Sequence, residues 1–234
     1  MANYPRYAIY YVSAPGSDLD RFGTQLLGYD AFNGVDLPFP DGLETVPDWR
    51  DLTRDPQTYG FHATLKAPLA LAPGKTEAEL LAACETFASA PRPIPVIRPT
   101  VDSIGGFVAV VPAEPSAELV RLAADCVRDF DKFREPLTTE DRARRNPSAL
   151  TSRQREHLDR WGYPYAMEDF RFHMTLTGRL DAARREPVLR MIRQRCSAIG
   201  LKTLAIDRIA LFRQNDAHAR FRIVMHYLLT RAPG

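Results

Sequence analysis

Apolar and polar positions along this chain switch between a period of two and a helical period, and each switch marks an element. Residues 5–12 (Pro-Arg-Tyr-Ala-Ile-Tyr-Tyr-Val) are aromatic and β-branched, and predict a first strand. Ser17 caps a helix that runs to Leu27 and stops at Gly28. Residues 28–58 lose both periods, collect Pro, Gly and Asp, and predict a long irregular connection. A strand from Phe61 to Leu71 follows, then a helix from Thr76 to Ala90, with Thr76 and Glu79 spaced as a capping box. Strands 94–104 and 107–112 meet at Gly105-Gly106, a hairpin turn. Ser116 opens a helix to Phe130 with Leu119, Leu122, Ala123, Cys126 and Val127 at helical spacing. Residues 131–168 are rich in Arg, Glu and Asp, with a charged helix near 152–161. The last third predicts a strand over 170–180, a helix over 184–199 and strands over 204–213 and 220–229.

Within this order one pattern occurs twice. Phe61-His62-Ala63-Thr64-Leu65-Lys66 is echoed by Phe172-His173-Met174-Thr175-Leu176-Thr177, and each copy is followed by helix, strand, strand. The repetition predicts an α+β fold of two pseudo-symmetric lobes, about 60–130 and 170–234, each a mostly antiparallel sheet with helices around a central cleft. The charged segment 131–168 reads as an insertion. Alternation sets Phe61, Ala63 and Leu65 toward a core and His62, Thr64 and Lys66 toward the cleft. It likewise separates Phe172, Met174, Leu176 and Gly178 from His173, Thr175, Thr177 and Arg179.

Two imidazoles and two hydroxyls on facing strands suit phosphodiester chemistry. Histidine titrates near neutrality, so one ring can take a proton while the other gives one. Thr64 and Thr175 supply hydrogen bonds to phosphate oxygens, and Lys66, Thr177 and Arg179 are further candidates for substrate binding. Neither strand pairs its His with a carboxylate or Cys on the same face, so no metal and no other cofactor is expected. His157 reads as solvated, His218 as a turn residue and His226 as structural. The stretch from Arg142 to Arg160 reads first as a solvated helix face, with binding of an anionic substrate as the alternative.

The overall balance changes little. There are 31 Lys and Arg against 29 Asp and Glu, a formal charge of +2, which does not suggest a protein that coats nucleic acid. The three cysteines Cys84, Cys126 and Cys196 form no paired motif and point to a reducing, cytoplasmic setting. No apolar run is long enough for a membrane span, and no secretory signal is expected at the start.

The paired Phe-His-x-Thr-Leu elements resemble the two-histidine phosphoesterase superfamily, which includes RNA-ligase-like and cyclic phosphodiesterase enzymes. Tyr59–Pro68, Gln154–Tyr165 and Phe170–Leu180 are most similar to a bacterial branch associated with phosphonate metabolism. The resemblance implies His62 and His173 as the catalytic pair and Thr64 and Thr175 as phosphate ligands. It also implies a small cyclic phosphate as substrate, with ribose 1,2-cyclic phosphate suggested by the branch. RNA 2′,3′-cyclic phosphodiesterase or ligase activity is the alternative, with Tyr10 or Trp49 as stacking surfaces; a sensor that binds without turnover is a third reading. The segment 131–168 departs from simpler members, and a cap that selects a smaller ligand is its expected role. The oligomeric state is not legible.

Overall fold

The computed structural model describes residues 3–43, 46 and 48–233. In chain order the elements are β1 (Arg6–Tyr11), α1 (Asp18–Leu27), β2 (Tyr29–Asp30), β3 (Val35–Asp36), α2 (Trp49–Gln57) and β4 (Ala63–Ala70). Then come α3 (Glu77–Ser89), β5 (Val96–Ile97), β6 (Pro99–Ile104), β7 (Phe107–Pro112) and α4 (Ala117–Phe130). The remainder is α5 (Thr139–Arg144), α6 (Ser152–Trp161), β8 (Met174–Thr175), α7 (Ala182–Ala198), β9 (Leu204–Ala205), β10 (Arg208–Gln214) and β11 (Arg222–Leu228).

The fold is α+β. Seven strands form one antiparallel sheet in the order β11-β10-β1-β4-β8-β7-β6. The sheets of the two halves therefore join edge to edge at β4 and β8, the two strands that carry the repeated motif. The hairpins change sides. The β6–β7 hairpin, which follows the first motif in sequence, pairs with the second motif strand; β10–β11, which follows the second, reaches the first through β1.

One face of the sheet is covered by α3, α4 and α7 around a core that includes Tyr7, Ile9, Leu65, Val108, Met174 and Leu211. The other face carries Ala8, Tyr10, Val12, Ala210 and Phe212, packed with Tyr29 and Phe221. Strand alternation produces this division: odd positions of β1 lie in the first cluster and even ones in the second. Helix ends follow their caps. Ser17 accepts from Asp20 N–H, and Thr76 with Glu79 makes the reciprocal capping box.

Several stretches differ from the sequence expectation; among them, the expected strands 94–104 and 204–213 are each split in two, as β5 with β6 and β9 with β10. The connection 28–58 holds the β2–β3 hairpin and α2; its positions 44, 45 and 47 lie outside the described residues. Helix α2 buries only Trp49, Thr53 and Pro56, so its helical stripe is too sparse to read. The second motif strand is regular only at Met174–Thr175, because Gly178 N–H turns away to the Leu52 carbonyl. The short α5 inside the charged segment buries no residue and leaves no apolar period.

Candidate active site

The pairing of β4 with β8 builds the site. Ala63 lies opposite Met174, and both are buried on the helix-covered face. One residue to either side, antiparallel geometry sets His62 across from Thr175 and Thr64 across from His173, all four on the opposite face. The two imidazoles occupy one diagonal of this square and the two hydroxyls the other.

Each ring is fixed in the same way. His62 Nδ1 lies 2.8 Å from the Gly60 carbonyl, and His173 Nδ1 lies 2.7 Å from the Arg171 carbonyl. A carbonyl only accepts, so Nδ1 carries the hydrogen in both rings and Nε2 is left for chemistry. Gly60 has a φ of +73°, the left-handed conformation that glycine adopts without strain, and this turns its carbonyl toward the ring. The Thr64 hydroxyl donates to His62 Nε2 at 3.3 Å. Tyr10 stacks on His62 with ring centroids 3.8 Å apart, and Phe107 leans on His173 at 5.5 Å.

Burial pushes the His62 imidazole from its ordinary 6.5 down to about 4, with the His173 charge adding to the effect. Burial also lowers His173, against the opposing pull of the Arg171 carbonyl. In the free protein at neutral pH both rings are therefore uncharged, and an arriving phosphate supplies the negative charge that stabilises a proton on one of them.

A cleft of about 400 Å³ opens over Thr64 and His173. Phe107, Phe170 and Arg179 form part of its wall, and the charged segment adds Gln154, Tyr163 and Tyr165. The segment thus stands over the site. Its own charges mostly pair with one another: Arg142 with Asp159 at 2.6 Å, Arg153 with Asp169 at 2.8 Å, and Arg144 with Asp141 at 3.0 Å.

The structure turns two of the sequence candidates away from the cleft. Lys66 is 2% exposed and lies on the helix-covered face, where its ammonium meets Asp131 at 2.6 Å and the Val127 and Trp161 carbonyls. The cause is a register shift: Tyr10 pairs with Thr64 but Ile9 pairs with Lys66, so Leu65 and Lys66 bulge together toward the core. Thr177 repeats the event. Leu176 and Thr177 both donate to the Val108 carbonyl, and the Thr177 hydroxyl, 0% exposed, accepts from Val108 N–H at 3.0 Å. Each motif strand therefore bulges just after its Leu, and the side chain four residues beyond the His turns inward. Arg179 stays exposed at the cleft wall.

Tyr10 and Trp49 are both buried, and Trp49 donates its ring N–H to the Leu26 carbonyl, so neither offers a stacking surface. His157 is buried beside Asp169 and Glu168 rather than solvated, and His226 rests edge-on against Phe32. Arg145, within the Arg142–Arg160 stretch, and Tyr163, within Gln154–Tyr165, stand close to the site. Among the described residues, no cluster of His, Cys, Asp and Glu has the form of a metal site. Nor is any helix among them long and apolar enough to cross a membrane.

A family described as a protein of unknown function, DUF1045, matches residues 64–222, which run from the first motif threonine into β11. The chain belongs to the DUF1045 family. Two curated relatives bear the name ribose 1,5-bisphosphate phosphokinase PhnN. One, from Janthinobacterium sp. (strain Marseille), is 35% identical over 92% of this chain and 49% of its own length. The other, from Laribacter hongkongensis (strain HLHK9), is 30% identical over 93% of this chain and 50% of its own. This DUF1045 chain thus spans about half the length of the curated relatives it matches. Among solved structures, E. coli LigT complexed with 3′-AMP is 15% identical, with a TM-score of 0.42 over 97% of this chain and all of that one. A structure described as a phosphoesterase is 14% identical, with a TM-score of 0.41 over the same shares.

Proposed function

We propose that this protein is a phosphoric diester hydrolase that opens a small cyclic phosphate by acid–base catalysis between His62 and His173. The diagonal arrangement of the two Nε2 atoms across the paired motif strands carries the reading. Water attacks phosphorus, His62 Nε2 takes a water proton, the bond from phosphorus to the leaving ring oxygen breaks, and His173 Nε2–H protonates that oxygen. The products are a phosphate monoester and a free hydroxyl, and a proton passed from His62 to His173 through solvent resets the pair. Thr64 and Thr175 donate to the non-bridging oxygens, where charge accumulates in the transition state. His62 is assigned the base because its imidazole is held lower and stays neutral, and His173 keeps the shared proton. No step in this scheme calls on a metal ion.

The sugar is proposed to be ribose, as in ribose 1,2-cyclic phosphate. The printed names of the curated relatives, which refer to a ribose phosphate, support that choice. A nucleoside 2′,3′-cyclic phosphate is the second reading, favoured by Tyr165, which is 47% exposed at the cleft and offers a ring to stack on a base.

The test is a panel of cyclic phosphates followed by phosphorus NMR. Ring opening of ribose 1,2-cyclic phosphate is expected, unchanged by EDTA. His62→Ala and His173→Ala should each lose about 100- to 10,000-fold, and the double variant little more, since the pair acts as a unit. Full turnover by either single variant would falsify the mechanism.

A further inference from the structure

A second cavity lies on the cleft face of the sheet, further along β1 and β4. Tyr10 of β1 pairs with Thr64 of β4, and Arg6 pairs with Ala70. Arg6, Ala8 and Tyr10 share a face, so the path from the catalytic square along β1 leads over a small alanine to the Arg6 guanidinium. There a cavity of about 270 Å³ is lined by Arg6, Tyr59, Ala70, Arg144 and Arg145. Its neighbours tie it to the catalytic cleft. Tyr59 sits 6.1 Å from the His62 ring, and Arg145 lies 5.8 Å over the ring of Tyr163, which lines the catalytic cleft.

Arg144 on its wall is spent on Asp141, but the Tyr59 hydroxyl and the Arg145 guanidinium are unspent. Among the described residues, the hydroxyls of Tyr10, Tyr59 and Tyr163 make no hydrogen bond and Arg145 makes no ion pair. Arg6 is aimed by the side-chain oxygen of Gln214 at 3.0 Å and by the Phe221 ring, a neutral cradle that leaves its charge uncancelled. The carboxylates on the wall are engaged: Glu135 accepts from Asn3, and Asp141 accepts from the Thr138 hydroxyl and pairs with Arg144. Burial and the neighbouring Tyr59 and Tyr163 phenols push the Tyr10 hydroxyl up, and the Arg6 and Arg145 guanidiniums pull against them.

We propose that this cavity is a second phosphate subsite, in which Arg6, Arg145 and Tyr59 hold a phosphate monoester carried by the same substrate whose cyclic phosphate lies between the histidines. The proposal rests on the two-histidine reading for the position of the reacting group. Two guanidiniums and a phenolic O–H suit a dianionic monoester, which accepts from several charged donors at once. The cavity falls just below the range of about 300–1,000 Å³ for a whole small ligand, so it fits a terminal group. The substrate class is thereby narrowed to a sugar that bears a cyclic phosphate at one end and a monoester at the other. Holding the far end also orients the reacting end, so the monoester accelerates ring opening as well as tightening binding.

The experiment compares kcat/KM for ribose 1,2-cyclic phosphate with and without a 5-phosphate, on the full chain. The 5-phosphate should raise kcat/KM by about 100-fold in the wild type. Arg145→Ala should collapse that ratio to within a few fold, and Tyr59→Phe should reduce it while circular dichroism stays native. Equal rates for the two substrates in the wild type would overturn the subsite and leave the catalytic pair standing. A dinucleotide ending in a 2′,3′-cyclic phosphate that outruns the 5-phosphorylated sugar would overturn it in favour of an RNA diester. If the wild type opens neither sugar, the catalytic reading has failed, and calorimetry with ribose 5-phosphate judges the subsite alone. Binding weakened about tenfold or more by Arg145→Ala supports it, and equal affinity overturns it.

Discussion

Each motif imidazole is oriented by one backbone carbonyl two residues upstream, and that single contact decides which nitrogen faces the cleft. The pH dependence follows from the environment of the rings. In the free protein His62 is held near 4, so the proposed base remains available throughout the neutral range and is lost only below that value. The proposed acid, His173, is also depressed below 6.5, and its protonated fraction falls as pH rises. The kcat/KM profile should therefore peak on the acidic side of neutrality and decline about tenfold per pH unit on its alkaline limb. An optimum above pH 7.5 in initial-rate measurements would contradict the assignment. The same depression is a stability statement. Between 6.5 and about 4 the unfolded chain takes up the His62 proton and the folded chain does not, so stability falls as pH drops through that window. Urea midpoints at pH 7 and pH 5 should draw apart in the wild type, and by less in His62→Ala.

At the scale of elements, most of what matters was legible, and the exceptions share a cause. The first motif strand, the Gly105-Gly106 hairpin and the caps at Ser17, Thr76 and Ser116 all follow from local pattern. The inward turn of Lys66 and Thr177 does not, because a bulge is set by register against a partner strand distant in sequence: β1 for one and β7 for the other. Nor does position alone reveal that Arg145 stands apart from its paired neighbours in the charged segment. The Lys66 bulge has a measurable consequence. Burial alone would raise the Asp131 carboxyl, but hydrogen bonds from Arg134 and Lys66 outweigh it and hold the group ionised. Asp131→Ala strands a buried ammonium and should cost about 3–5 kcal/mol in urea unfolding. Lys66→Met replaces the charge with an apolar side chain of similar length and should cost distinctly less, with kcat retained if Lys66 has no part in substrate binding. A glycine makes a comparable demand. Gly23 of α1 lets the Phe61 ring approach so closely that a Cβ would fall 2.1 Å from it, so Gly23→Ala must displace the residue next to His62. A loss of turnover larger than the loss of stability is expected, read by comparing kcat with the melting temperature.

Across the whole molecule, the helices cover one face of the sheet, and the other face is shared by the catalytic square, the second cavity and the charged segment that overhangs both. Because the hairpins change sides, neither half holds a complete sheet. Residues 1–130 lack the outer strands that flank β1, and residues 169–234 lack the hairpin that flanks β8. Expressed apart, the two pieces should show no cooperative melting; co-expressed with 131–168 on either one, they should assemble and recover activity. Pieces that fold alone, as judged by amide dispersion in NMR, would contradict this account. The exchanged hairpins also set a timetable. A nascent chain that has just emitted its first histidine strand still waits for residues 208–228 before β1 gains its other neighbour. The sheet cannot close until residue 228 has left the ribosome, so this part of the polypeptide stays open and dependent on protection until then.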